Sequence, residues 1–204
     1  MTVPLETLVQ IFPIHIPPDW TPHFEAGAPS RLMQTTSRRC DRPPYEPTFG
    51  AGLDELRLGR PHDAVDIGAA YGAPVVATCP GTVFMNWHYP GGHPPDRPGA
   101  GTRPDVGGYV RVCGPEGYVI YYAHLNPVLV SPGQRIETGM QLGAVFHRGE
   151  RGGFAHLHFQ IRRPDARHSA TGGARVDPTA RLRVLKSAGG WQAPTPYPIQ
   201  PNPY

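Results

Sequence analysis

The segment AHLHFQI, residues 155–161, carries two histidines two positions apart in a run that alternates polar and apolar side chains. In an extended strand successive side chains point to opposite faces, so His156, His158 and Gln160 share one face while Leu157, Phe159 and Ile161 line the other. On a helix the two imidazoles would diverge by about 200°. A strand is therefore predicted, and a rigid element that delivers two imidazoles to one region of surface suits a metal or catalytic site. Upstream, GRPHDAVDIG sets His62 and Asp66 in H-x-x-x-D spacing just before an apolar strand start. That even separation puts both on one side of an extended segment, and a loop would also bring them together. Two imidazoles and one carboxylate make a donor set typical of catalytic zinc, with a fourth position left for water. A further imidazole beside the ligand histidine would serve as acid or base. YYAHL adds His124 at the end of an aromatic strand. His62, Asp66, His124, His156 and His158 thus form a set with assignable roles. Asp63 and Glu150 read as solvated surface charges, and His15, His23, His88, His93, His147 and His168 as ordinary residues without partners at useful spacing.

The elements that must position this set are short. AVDIG, APVVATCPGTVFMNW, GYVRVCG and GYVIYYAHL are β-branched and aromatic runs bounded by Gly and Pro. GPEG, residues 114–117, is a predicted hairpin turn between YVRVC and YVIYYAH. S-P-G and T-G mark turns in NPVLVSPGQRIETGMQLGAVF, ahead of AHLHFQI. No heptad, amphipathic helix or internal repeat is visible. The expected class is mainly antiparallel β. Residues 88–108, HYPGGHPPDRPGAGTRPDVGG, interrupt two strand-like runs as a long insertion of Gly, Pro and charge, a loop length that is usually functional or disordered.

Composition bounds the rest. The chain has 204 residues, 39% hydrophobic, with 25 glycines and 27 prolines, much of the proline lying at the two ends and in the insertion. A compact middle with irregular arms is expected. Lys186 is the one lysine among 19 basic residues, and the net charge of +3 reads as ordinary solvated charge. No basic run with interleaved aromatics supports specific nucleic-acid binding. Three cysteines without C-x-x-C spacing form neither a disulfide framework nor a zinc knuckle; Cys79 and Cys113, in strand-like stretches, are expected to be buried thiols, and Cys40 stands apart. Nothing reads as a membrane span. The N-terminal stretch lacks a basic region and is broken by prolines, so no cleavable signal is expected.

In these residues the chain resembles the lysostaphin-type (LytM-like) zinc metallopeptidases, which cut peptide cross-links of bacterial peptidoglycan. The resemblance runs from about Arg60 to Ile161 in the family's order. HDAVDIG is similar to the family's H-x-G-x-D segment, GYVIYYAHL to its Y-x-H-L element, VSPGQRIETGMQLG to its V-x-x-G-Q…G turn pair, and HLHFQI to its H-L-H-F signature. It implies that His62, Asp66 and His158 bind Zn2+ and that His124 and His156 are the catalytic imidazoles beside the metal-bound water. The implied fold is a twisted antiparallel sheet with a loop-walled groove over the metal. Ala64 stands where the family has a glycine, Gln160 replaces its glutamate, and AVFHRGERGGF departs from its glycine-rich segment before the last strand.

On this basis residues 51–165 are the expected metallopeptidase domain with the 88–108 insertion, residues 1–50 a proline-rich extension packing on or flanking it, and residues 166–204 an irregular proline-rich tail. The implied substrate is the peptide of bacterial peptidoglycan. Action in the periplasm or cell wall without a cleavable signal points to phage-type lysis or delivery by a secretion machine, with an inhibitor or immunity protein as a further partner. The alternative is a catalytically inactive regulator of the same fold that binds peptidoglycan or a hydrolase, but such proteins lack several of the five residues present here. A cupin-like barrel, which also uses H-x-H, would need a glutamate shortly after His158, where the chain reads FQIRRPD.

Overall fold

The β-branched and aromatic runs become short strands because such side chains pack well on a pleated, buried surface, and Gly and Pro near their ends punctuate them. The computed structural model describes residues 2–21, 45–57, 60–87, 107–146, 155–192, 194 and 197–200. Cys40, most of the 88–108 insertion and most of AVFHRGERGGF lie outside them. In chain order the strands are β1 (Thr48–Phe49), β2 (Leu56–Arg57), β3 (Arg60–Pro61), β4 (Val65–Gly68), β5 (Pro74–Val76) and β6 (Gly81–Trp87). They continue as β7 (Gly108–Cys113), β8 (Val119–Val128), β9 (Arg135–Ile136), β10 (Gln141–Val145), β11 (His156–Arg162) and β12 (Arg175–Val176). Ten of them form one antiparallel sheet in the order β1-β4-β11-β8-β7-β6-β9, with β10 bridging β5 and β8, and β12 added to β11. The small β2–β3 hairpin stands apart. A mainly antiparallel β fold is thus what the chain adopts.

The position of β11 between β4 and β8 follows from its alternation. Leu157, Phe159 and Ile161 are fully buried among Val65, Ile67, Ile120 and Tyr122, each such side chain stabilising the fold by roughly 1.5–3 kcal/mol. The opposite face of the same strand is left for the histidines. The β7–β8 hairpin closes through a 3-10 turn, Pro115–Gly117, in which Glu116 and Gly117 both take positive φ; Gly117 adopts this without steric cost.

Two expectations are corrected. Cys79 is buried, and burial pushes its thiol up to about 12, but Cys113 is exposed. In β7, Val110 and Val112 point into the core, so alternation turns Tyr109, Arg111 and Cys113 to the other face. The tail from residue 166 is also more ordered than its prolines suggest. Residues 175–176 pair with β11 as β12, extending the sheet beyond residue 165, and Thr179–Ser187 form helix α2. The Asp177 carboxylate accepts hydrogen bonds from Thr179 N and Oγ1 at 2.9 and 2.6 Å, anchoring the helix start. Leu182 buries the inner face of α2.

Described residues of both arms pack on the sheet. After the short helix α1 (Leu5–Leu8), Leu8, Val9, Phe12 and Ile14 are fully buried. Ile14 bridges Val75, and Thr78 Oγ1 donates to Leu8 O at 2.9 Å. Arg181 Nε on α2 donates to Val9 O at 3.0 Å, and Ile16 N donates to Trp191 O at 2.8 Å. Phe12→Ala, which empties a fully buried ring site beside Phe49, is expected to destabilise the protein by about 3–5 kcal/mol. Urea unfolding measures this; a loss below about 1 kcal/mol, the size of an ordinary surface change, would show that the N-terminal arm is not integral to the core. Among the described residues no helix is long and apolar enough to cross a membrane.

Candidate active site

β11 and β4 run antiparallel with His158 directly opposite Asp66 and His156 opposite Gly68. Directly opposed side chains share a face, so the pairing register alone sets Asp66 beside His158. His62 precedes β4, and its main chain is fastened by hydrogen bonds to the segment before β2: Asp54 N donates to His62 O, and His62 N to Glu55 O, both at 2.8 Å. The His62 ring is fixed by Nδ1, which donates to Gly52 O at 3.0 Å. That contact assigns the proton to Nδ1 and leaves Nε2 as a lone-pair donor towards the site.

Three donor atoms converge there. His62 Nε2 lies 3.2 Å from Asp66 Oδ1 and 3.2 Å from His158 Nδ1, and His158 Nδ1 lies 3.1 Å from Asp66 Oδ1. A divalent ion held tetrahedrally by N and O ligands at 2.0–2.1 Å has donor pairs about 3.3–3.4 Å apart. This near-equilateral triangle of two imidazole nitrogens and a carboxylate oxygen fits such an ion, and His62, Asp66 and His158 could hold one. Burial raises the pKa of the Asp66 carboxyl, but the hydrogen bond from His158 and the charges of His156, His158 and His62 outweigh it and hold the group at about 2. The carboxylate is therefore ionised at any pH at which the imidazoles are neutral donors.

His156 and His124 stand beside the triangle. His156 Nε2 is 3.5 Å from Asp66 Oδ2, and its ring centroid is 4.6 Å from that of His124. His124 is not the strand-end residue expected; it lies inside β8, at φ +64°. Gly108 pairs with Leu125 and Tyr109 with Ala123, so His124 is the extra residue of a β-bulge. By strict alternation it would follow Ile120 and Tyr122 into the core. The bulge turns it instead to the face that carries His156 and His158, a known use of bulges next to active sites. Left-handed backbone at a non-glycine residue costs of order 1–3 kcal/mol and persists where its surroundings enforce it. Here Phe146 N donates to His124 O at 2.7 Å.

Asp63, expected as a solvated charge, belongs to a network under the site. Arg162 Nη2 donates to Asp63 Oδ2 at 3.0 Å, Gln160 Nε2 to Asp63 O at 2.7 Å, and Arg162 Nε to Gln160 Oε1 at 3.0 Å. Asp63 Oδ1 in turn lies 3.7 Å from His158 Nε2, the ring nitrogen that faces away from the triangle. His158 holds the Asp63 carboxyl well below the usual carboxylate range, with Gln160 and Arg162 adding to this against the effect of burial. For His158 burial disfavours the proton, yet Asp63 and Asp66 together raise its pKa. The missed signal was parity: Arg162, Gln160 and His158 alternate onto one face of β11.

Residues 60–178 match Peptidase family M23. The chain is 28% identical over 101 residues to the peptidoglycan DD-endopeptidase ShyA of Vibrio cholerae, covering 50% of this chain and 20% of that protein. It is 31% identical over 102 residues to an uncharacterized metalloprotease of Haemophilus influenzae, covering 50% and 18%. The chain thus spans about a fifth of the length of the curated relatives it matches. Among solved structures it is similar to the antimicrobial peptidase lysostaphin from Staphylococcus simulans, with a TM-score of 0.52 and 25% identity over 73% of this chain and 56% of that one. The family match covers more than half of the sequence and contains all five site residues, so the chain belongs to peptidase family M23, with a lysostaphin-type, LytM-like fold.

Proposed function

We propose that the protein is a zinc-dependent endopeptidase that hydrolyses peptide cross-links of bacterial peptidoglycan. The observation that carries this reading is the triangle of His62 Nε2, Asp66 Oδ1 and His158 Nδ1, with the His156 and His124 rings alongside it, in an M23 chain. The name of the Vibrio relative, a peptidoglycan endopeptidase, supports the substrate class. Such a substrate would set the place of action in the periplasm or cell wall.

In this reading His62, Asp66 and His158 hold Zn2+, which when bound supplies Lewis acidity towards the scissile carbonyl and makes a coordinated water acidic near neutrality. His156 is assigned as the proton carrier, taking a proton from the attacking water and passing it to the departing amine. The Asp66 carboxylate 3.5 Å from its Nε2 stabilises the imidazolium formed in between. His124, with a proton on the ring nitrogen that faces the substrate, donates a hydrogen bond to the carbonyl oxygen as it becomes anionic. Asp63, braced by Arg162 and Gln160, orients His158 from behind. Carboxylates in this position fix ring orientation and raise ligand basicity, and their loss typically costs 10–100-fold in metal affinity. Asp63→Ala is accordingly expected to weaken zinc binding by about 10–100-fold, read by chelator competition on the folded protein; unchanged affinity would remove Asp63 from the site.

The reading is tested by release of new free amines from purified sacculi. The metal-loaded protein is expected to release them, the chelated protein to be silent, and added Zn2+ to restore cleavage. Tight zinc binding without cleavage of any sacculus type would favour the non-catalytic regulator.

A further inference from the structure

The sheet face that carries the histidines holds a second row of side chains beside them. Across the strands, Gln160 pairs with Tyr121, Tyr121 with Arg111, and Arg111 with Met85. This row runs parallel to the one formed by Asp66, His158, Ala123 and Tyr109. Arg111 Cζ sits 5.2 Å from the Tyr121 ring centroid and 5.3 Å from that of Tyr109, and the Tyr121 ring lies 6.1 Å from the His158 ring. The guanidinium is therefore held between two aromatic rings, one of which touches the candidate metal site.

Its hydrogen bonding is incomplete in an informative way. Nη1 donates to Ala170 O at 3.1 Å and to Met85 Sδ at 3.4 Å. Nε and Nη2, the edge that binds a carboxylate in two parallel hydrogen bonds, make no hydrogen bond to the described residues. Arg162, Arg175 and Lys186 each pair with a carboxylate, of Asp63, Asp54 and Glu46. Arg111 has no such partner among the described residues, although it is half-buried. Removing a charge from water without a counter-charge is unfavourable, and the two tyrosine faces offset only part of that.

We propose that Arg111 is a carboxylate-binding subsite on the sheet face that carries the histidines, and that the peptide cut by this protein carries a free carboxylate, in contrast to an uncharged oligoglycine bridge. This rests on the reading of the site as a wall endopeptidase and names the class of peptide it takes. β7 lies two strands from β11, about 10 Å across the sheet at 4.7–4.9 Å per strand. That distance corresponds to about three residues of extended peptide, so the carboxylate belongs to a residue two or three positions from the scissile amide. An acidic stem peptide with a free α-carboxylate on its glutamyl residue has this chemistry.

The test uses two synthetic cross-linked stem peptides that differ at one group, the glutamyl α-carboxylate or its carboxamide. Binding is measured by calorimetry on the zinc-loaded full chain carrying His156→Ala, so that neither peptide is consumed. The acid is expected to bind about 10–50-fold more tightly than the amide. Adding Arg111→Gln is expected to bring acid binding down to that of the amide while amide binding stays unchanged, which also shows that the site remains folded. Arg111→Lys is expected to retain part of the preference, because a point charge replaces the two-toothed edge. Equal affinity for the two peptides, a preference that survives Arg111→Gln, or no binding of either overturns the subsite. The same peptides offered to the protein with His156 intact separate this from the catalytic reading: acid-selective binding without cleavage would leave the subsite standing and remove the endopeptidase.

Discussion

Asp66→Ala is expected to lose zinc and to reduce peptidoglycan cleavage to background. The side chain is fully buried, and its two oxygens reach three imidazoles: Oδ1 lies 3.2 Å from His62 Nε2 and 3.1 Å from His158 Nδ1, and Oδ2 lies 3.5 Å from His156 Nε2. It would supply one of three protein donors and the one negative charge among them. Complete zinc sites bind with roughly 10–16 kcal/mol over four ligands, so losing one donor costs about 3–4 kcal/mol, or about 100–1000-fold in affinity. Asp66→Asn keeps an oxygen donor but not the charge and is expected to fall between Ala and wild type. Zinc affinity by chelator competition separates the three proteins, and an Ala variant that holds one zinc as tightly as wild type would sink the ligand assignment. The metal-free protein offers an independent check. Asp66 is held at about 2, against 3.8 in the unfolded chain. A depressed carboxyl pKa stabilises the fold above the unfolded value, and that stabilisation is lost as pH falls through the folded one. The stability difference between wild type and Asp66→Asn, measured without metal, is therefore expected to be full from about pH 4 up to the pH at which the surrounding imidazoles lose their protons, and to close as pH falls towards about 2.

What the sequence makes legible here is whatever depends on period and punctuation. The alternation of AHLHFQI predicts a strand with Leu157, Phe159 and Ile161 inward, and those residues are fully buried. GPEG predicts the turn that closes β7 onto β8. What depends on register is not legible, because nothing local states that His158 lies opposite Asp66, 92 positions earlier. The five site residues could be grouped only by their types and by family resemblance. His124 shows the limit most clearly. It shares the parity of Ile120 and Tyr122, so the period alone points it into the core, and only a one-residue bulge against β7 returns it to the face of His156 and His158. Other misses left a usable trace. The alternation of Val110 and Val112 already turns Cys113 outward, and Arg162 shares a face with Gln160 and His158, which is the route to Asp63. For α2 the D-P-T start was present, but a nine-residue helix with one fully buried side chain offers little periodicity to detect.

His156→Ala is expected to separate chemistry from metal binding: zinc retained with near wild-type affinity, cleavage reduced by about 100–10,000-fold, the range for removing a positioned acid–base group. His156 is not one of the three residues of the donor triangle, and its Nε2 approaches Asp66 Oδ2 at 3.5 Å. His124→Ala is expected to cost about 100–1000-fold, as for loss of a donor to a developing oxyanion, again with zinc retained. The two are told apart by pH. A base must be unprotonated to act, so wild-type kcat/KM falls as pH drops through the pKa of that group. The residual activity of His156→Ala is expected to lack this acidic limb, and that of His124→Ala to keep it. The opposite pattern would exchange the two roles and leave the site intact. Because the two rings are in contact, with centroids 4.6 Å apart, and serve one transition state, the double variant is expected to be little worse than His156→Ala alone. Strict multiplication of the two losses would mean that the rings act independently, and the shared-site mechanism would have to be abandoned.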